Sequence, residues 1–211
     1  MSEPASDYDL LVAWRQGDPG AANALTSRHY ASIRRFFDLK VTHLAEDLTQ
    51  QTFLAAVEGV DRYRAEAGFR AYLFGIARNQ LLRTLRKQGR HEQAMRFASA
   101  AAPSVATPLS LVAARREEQQ VLLMALAQLP TDLQIVVELY YWEGMSSAGI
   151  GAVLETNPST ITTRLARARQ LVQQHVAEMT RPGRVRDSLL TDLEGWQRSL
   201  GPLTAQANAR R

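Results

Sequence analysis

The sequence predicts an all-α protein: two small helical domains joined by a flexible linker, followed by a helical carboxy-terminal tail. Three observations predict it. Apolar residues recur at helical spacing on both sides of a central gap, most plainly at Phe69, Tyr72, Leu73, Ile76, Ala77, Leu81 and Leu85. The first half shows no convincing strand pattern. Between about His91 and Leu111 the composition changes to FASAAAPSVATPLSL, rich in alanine, serine and proline and poor in helical period, which marks a linker. With 211 residues, 45% of them apolar and 22% charged, the chain can bury a core in each of two modest domains.

Each element follows from local signals. Gly17 can close a short helix begun near Asp7, and Asp18 with Pro19 reads as an N-cap and first helical residue. From Ala22, the positions Leu25, Tyr30, Ile33, Phe36 and Phe37 mark the next helix, and another runs from about Leu44 to Val57 and ends at Gly59. Glu46 and Asp47 in its first turn suit the positive end of the helix dipole. The Phe69–Leu85 stripe defines a helix that Gly89 can terminate. Beyond the linker, a helix from about Val112 to Leu129 is broken by Pro130. Thr131 with Gln134 forms a capping box for the next, which Gly144 can end. Two segments, about Ser147–Leu154 and Ser159–Val176, are separated by Glu155-Thr156-Asn157-Pro158, the layout of a helix-turn-helix. Leu189, Leu190, Leu193, Trp196 and Leu200 give one more amphipathic stripe in the tail.

Composition excludes several classes. The absence of cysteine rules out disulfides and thiolate chemistry and fits a reducing, cytoplasmic setting. The start MSEPASDYDLL has acids where a signal peptide needs bases, and no apolar run reaches the roughly 20 residues of a membrane span, so no membrane insertion is expected. His29, His43, His91 and His175 are scattered, with no acid cluster at metal-ligand spacing and no phosphate loop, so neither an enzyme nor a cofactor is expected. The charge is uneven. Between Arg62 and Arg90 the bases Arg62, Arg64, Arg70, Arg78, Arg83, Arg86, Lys87 and Arg90 face the single acid Glu66, and from Thr156 to Val176 Arg164, Arg167 and Arg169 face none. Two basic stripes suit a polyanion that touches two parts of the protein, although a solvated helix face carries the same pattern.

Three stretches give the chain a family resemblance. Asp47-Leu48-Thr49-Gln50-Gln51-Thr52-Phe53 has the pattern D-L-x-Q-x-x-F. Phe69 to Asn79 is similar to F-x-x-W-L-x-x-I-A-R-N, with Tyr72 at the tryptophan. Thr160 to Arg169 is similar to T-V-x-S-R-L-x-R-A-R, preceded by an L-P-x-x-x-x-x-V…Y-x-E-G-x-S entry from Leu129 to Ser146. Together these resemble the sigma-seventy superfamily, and within it the small extracytoplasmic-function group, which retains only the second and fourth sigma domains. The resemblance covers about residues 8–90 and 112–176.

The resemblance implies a region 2 domain over 1–90, a linker over 91–111, a region 4 domain over 112–176 and an extension over 177–211. It implies that Asp47, Leu48, Gln50, Gln51 and Phe53 bind core RNA polymerase. It assigns minus-ten recognition and melting to the loop candidates Tyr63 and Arg64 and to Arg70, Arg78, Asn79, Arg83, Arg86 and Lys87. It assigns minus-thirty-five recognition to Ser159, Thr160, Thr162, Thr163, Arg164 and Arg167, while Ile161, Leu165, Ala168 and Leu171 pack inward. The chemistry is sound: flipped bases stack on aromatics and are tracked by arginine, and arginine reads guanine bidentately. The implied partners are promoter DNA and the largest and second-largest polymerase subunits. Family members are often held inactive by an anti-sigma protein, and no residue here identifies one. Gln51 stands where the family commonly has glutamate, and Gly149-Ile150-Gly151 where E-I-A is common, at a helix cost of roughly 1 kcal/mol per glycine. The function read from this is promoter recognition as a polymerase subunit. The alternative is a free-standing helix-turn-helix regulator, which has no need of the D-L-x-Q-x-x-F helix.

Overall fold

A computed structural model describes residues 5–63, 68–96, 117–192 and 195. Among them the helices, in order, are α1 (Asp7–Arg15), α2 (Pro19–Val41), α3 (Ala45–Gly59), α4 (Phe69–Arg96), α5 (Glu117–Ala127), α6 (Thr131–Tyr141), α7 (Ser147–Leu154), α8 (Pro158–Met179) and α9 (Arg184–Thr191). Short 3-10 turns at Thr42–Leu44 and Val60–Arg62 precede and follow α3. The chain divides into two compact units, one holding α1–α4 and the other α5–α9. Residues 97–111 of the expected linker, the loop candidate Arg64, and Leu193, Trp196 and Leu200 of the tail stripe lie outside the described residues.

In the amino-terminal unit Ser6 caps α1: its hydroxyl accepts from the Asp9 amide at 3.2 Å, and the Asp9 carboxylate accepts from the Ser6 amide at 3.1 Å. Gly17, at φ +93°, turns the chain out of α1, and Asp18 caps α2 by accepting from the Gly20 amide at 2.8 Å. Leu25, Ile33, Phe36 and Phe37 of α2 are fully buried with Leu73, Phe74, Ala77 and Leu81 of α4. From α3 the core receives Ala45, Leu48, Thr49, Thr52 and Ala56. The two threonine hydroxyls donate to the carbonyls of Ala45 and Leu48 at 2.6 and 2.7 Å, so they are buried without an unmet donor. Helix α4 does not end at Gly89 as expected but continues to Arg96, and Gly89 is not among the glycines at positive φ. One mid-helix glycine costs only about 1 kcal/mol, which the turns on either side offset.

In the carboxy-terminal unit the expected Thr131–Gln134 capping box does not form. Thr131 is already helical, and Gln134 turns back to donate to the carbonyls of Ala127 and Leu129 at 3.1 and 2.9 Å, closing the end of α5. Gly144, at φ +62°, ends the excursion after α6. Ser146 caps α7, accepting from the Gly149 amide at 3.1 Å. The α7–α8 turn puts Glu155 in the left-handed region, at φ 52°, and its next amide, that of Thr156, donates to the Gly151 carbonyl at 2.9 Å. Asn157 occupies the cap position of α8 without a side-chain cap bond; Pro158 supplies the start. Ile161, Leu165, Ala168, Val172 and Val176 form the buried stripe of α8, and Leu171, expected inside, is half-buried because that stripe passes to Val172. Helix α9 rests on α5 and α8 through the fully buried Leu189.

The two α7 glycines differ in kind. A Cβ on Gly151 would lie 2.7 Å from the Thr156 carbonyl oxygen, whereas one on Gly149 would meet nothing nearer than Met145 Cε at 3.4 Å. Gly151 therefore lets the turn close, and Gly149 only costs helix propensity. In chemical denaturation, Gly149→Ala is expected to stabilise the protein by up to about 1 kcal/mol. Gly151→Ala is expected to destabilise it by roughly 1–3 kcal/mol. Equal effects at both sites would contradict this account of the turn.

Candidate nucleic-acid interfaces and docking face

Helix α3 carries buried and polar positions on opposite sides. Leu48, Thr49, Thr52 and Ala56 point inward, and Asp47, Gln50, Gln51 and Glu58 outward. Leu48, expected at the docking face, is only 5% exposed, so it packs behind that face and does not present itself to a partner. Phe53 is half-buried and stacks on Tyr30 with ring centroids 6.0 Å apart. Two residues the sequence did not single out, Leu54 and Val57, are 59% and 49% exposed on the same side as Asp47 and Gln50. Their i+7 and i+10 spacing from Asp47 was the signal that could have found them.

The polar residues on this helix are pre-arranged. Gln51 donates to the Asp47 carboxylate at 2.7 Å and Gln50 to Glu46 at 3.2 Å. Glu46 also accepts from the Tyr30 hydroxyl at 2.7 Å and from Arg34, and these donors, Tyr30 first, hold its carboxyl below the usual range. The result is a firm helix face with a small apolar patch inside a polar border.

After α3 the chain passes through the Val60–Arg62 turn to Tyr63. The Tyr63 ring is half-buried and stacks on Tyr72, centroids 4.4 Å apart; both rings meet Phe69, which lies edge-on to Trp14 at 6.2 Å. Burial pushes the Tyr63 hydroxyl pKa up. A Cβ on Gly59 would collide with the Tyr72 hydroxyl, so this glycine admits the tyrosine that stands at the family's tryptophan position.

On α4, Asn79, Arg83, Arg86 and Lys87 are exposed together on the side opposite Ala77 and Leu81, with the half-buried Arg78 beside them, donating to Asn79 Oδ1 at 3.4 Å. Arg70 does not join them. It lies nine positions before Asn79, about 180° round the helix, half-buried where its charge acts on His29.

On α8, Ser159, Thr162, Thr163 and Arg167 are exposed, and Thr160 and Arg164 half-buried. The Thr162 and Thr163 hydroxyls donate back to the carbonyls of Pro158 and Ser159 at 3.3 and 3.1 Å. Arg169 is used internally: its Nε donates to the Tyr141 hydroxyl at 3.0 Å.

Among the described residues these features define a class: a helical protein with a helix-turn-helix in one unit and, in the other, a basic helix face beside an exposed apolar patch with a polar border. Residues 24–91 match the family model for sigma-70 region 2, and residues 119–172 that for sigma-70 region 4. The ECF RNA polymerase sigma-E factor of Escherichia coli K12 is 27% identical over 191 residues, 86% of this chain and 100% of that protein. The sigma-E factor of Haemophilus influenzae is 26% identical over 185 residues, 83% of this chain and 98% of its own. Two solved structures share the fold at 24% identity. CnrH in complex with the cytosolic domain of CnrY has a TM-score of 0.58 over 82% of this chain and 99% of its own. The sigma factor RpoE of Bartonella quintana, in complex with the anti-sigma factor NepR, has 0.59 over 75% and 98%. The chain belongs to the sigma-70 family of RNA polymerase sigma factors, in its extracytoplasmic-function group.

The support of α4 titrates. His29 is 7% exposed, with its Nε2 2.7 Å from Asp7 Oδ2 and its ring 5.8 Å from that of Phe69. Burial lowers its pKa below 6.5, outweighing the pull of Asp7; Arg70 and Arg28 add to the lowering. The fold therefore prefers the neutral ring, which donates from Nε2. That preference is fully present above the unfolded value and is lost as pH falls through the folded one. Denaturation curves are expected to show lower stability at pH 5.5 than at pH 7.5, and His29→Gln, which keeps a donor for Asp7, to flatten the difference. An unchanged pH dependence in that variant would remove His29 as its source.

Proposed function

We propose that this sigma factor joins core RNA polymerase through the outward face of α3, with Asp47, Gln50 and Gln51 setting orientation, Leu54 and Val57 supplying apolar contact, and Phe53 and Leu48 supporting from behind. Its basic α4 face, Arg78, Asn79, Arg83, Arg86 and Lys87, with Tyr63, Arg64 and Arg70 toward the preceding loop, engages the opened minus-ten region. The start of α8, Ser159, Thr160, Thr162, Thr163, Arg164 and Arg167, reads the minus-thirty-five duplex from the major groove. The domain limits proposed for these tasks are 1–90 and 112–176, with a linker over 91–111 and an extension over 177–211.

The observation that carries the reading is the apolar patch of Leu54 and Val57 framed by Asp47, Gln50 and Gln51 on a helix whose opposite side is fully buried. A regulator acting alone through its helix-turn-helix needs no such face. The proposed partners are the largest and second-largest core subunits and promoter DNA. An anti-sigma protein is a further proposed partner, supported by the complex of RpoE with NepR. The sigma-70 family is non-catalytic, and the proposed role needs neither metal nor cofactor. Among the described residues no helix is long and apolar enough to cross a membrane. The proposed place of action, beside the polymerase, is the cytoplasm.

With purified core polymerase, Leu54→Asp and Asp47→Ala are expected to weaken holoenzyme assembly while leaving binding of the isolated protein to minus-thirty-five duplex unchanged. Competition binding against core checks this. Arg164→Ala is expected to leave assembly intact and relax minus-thirty-five preference by about 1–3 kcal/mol. Promoter binding should weaken steeply with salt, because arginine contacts to phosphate release counterions. A flat salt response, or loss of core binding in the Arg164 variant, would overturn the division of labour.

A further inference from the structure

Arg15, the last residue of α1, reaches across 45 sequence positions to the stem of the loop that precedes α4. Its Nε and Nη2 both donate to the Val60 carbonyl, at 3.1 and 2.6 Å, and Nη2 also donates to the Tyr63 carbonyl. The guanidinium carbon lies 5.9 Å from the centre of the Tyr63 ring. One cation thus bridges both ends of the Val60–Tyr63 segment, and charge-assisted bonds of this kind are roughly twice as strong as neutral ones. The stem is also held by the Tyr63–Tyr72 stack and by the fit of Tyr72 over Gly59. Arg15 is exposed as a residue, with its bonds to Val60 part-buried, and it ties α1 to the stem.

We propose that Arg15 is a positioning residue for minus-ten recognition: by fixing the carbonyls of Val60 and Tyr63 it sets the Tyr63 ring and the point from which the chain leaves toward α4. This rests on the assignment of the Tyr63 neighbourhood to the minus-ten strand. Arg15 touches no base; it acts through Tyr63. Lysine reaches one carbonyl as a point charge but lacks the planar fork that engages two, so it restores only part of the effect.

The test uses the full chain in holoenzyme. Open-complex formation is followed by a fluorescent promoter reporter on a library randomised in the minus-ten element, with core affinity and thermal stability measured in parallel. Arg15→Ala is expected to keep core affinity and minus-thirty-five dependence, to lose roughly ten- to a hundredfold in open-complex formation on the preferred element, and to flatten the ranking of minus-ten sequences. Arg15→Lys should fall between it and the parent. Where Arg15→Ala does not fold, Arg15→Lys and Arg15→Gln are compared for the same ranking. A variant that keeps the parental ranking, whether active or uniformly weakened, overturns the proposal. A parent protein with no minus-ten preference overturns the functional reading itself, and the proposal with it.

Discussion

Phe36 of α2 meets Phe74 of α4 edge to face, with ring centroids 5.7 Å apart, and Phe37 closes on Phe36 at 5.4 Å. All three are fully buried. Deleting such a ring from a packed core typically costs about 3–5 kcal/mol, comparable to much of a small domain's stability. This contact fixes which side of α4 faces inward, and a helix has only one other side to offer. Asn79, Arg83, Arg86 and Lys87 lie on that side because the helix is locked in this rotation. The same logic holds for α3, where buried threonines bonded to their own helix leave the proposed docking residues outward. In the carboxy-terminal unit the stripe from Ile161 to Val176 does for α8 what Phe74 and Leu81 do for α4.

Much of this was legible in the sequence because it depends on period and on terminators. The apolar stripe of α4, the Asp18–Pro19 start, the Gly17 and Gly144 stops and the helix-turn-helix spacing all encode local geometry. What was not legible depends on tertiary choice. Gln134 has the spacing of a capping box, yet the nearby end of α5 offers two carbonyls that need donors, and it serves them instead. Gly89 can stop a helix, but nothing requires the left-handed turn there. The motif D-L-x-Q-x-x-F does not say which of its letters face outward. Leu48 is inside, whereas Leu54 and Val57, beyond the motif, are outside. Arg15 bears no local mark at all, since its partners are backbone carbonyls far along the chain.

The two units are each compact, and their proposed tasks are separate: one meets polymerase and opened strand, the other meets duplex. Joined in one chain, two modest contacts act as linked modules, each raising the effective concentration of the other on a common surface. Strong isolated affinity is then unnecessary at either site. This agrees with a proposed docking patch built on two exposed apolar side chains and a proposed recognition helix presenting one exposed and one half-buried arginine. The tail adds a small third element. Leu189 seats α9 on α5 and α8, so at least the start of the extension belongs to the carboxy-terminal unit.

The proposed role makes transcription from chosen promoters, as distinct from minus-thirty-five duplex binding alone, depend on joining the polymerase. Sigma-free bacterial core polymerase, supplied with the purified protein and a genomic promoter library, gives the most direct measurement through mapped transcript starts. Starts are expected downstream of two spaced elements, and only when protein and core are both present. Sequence-selective binding of the protein to such sites, with no association with core and no new transcripts, would contradict that role.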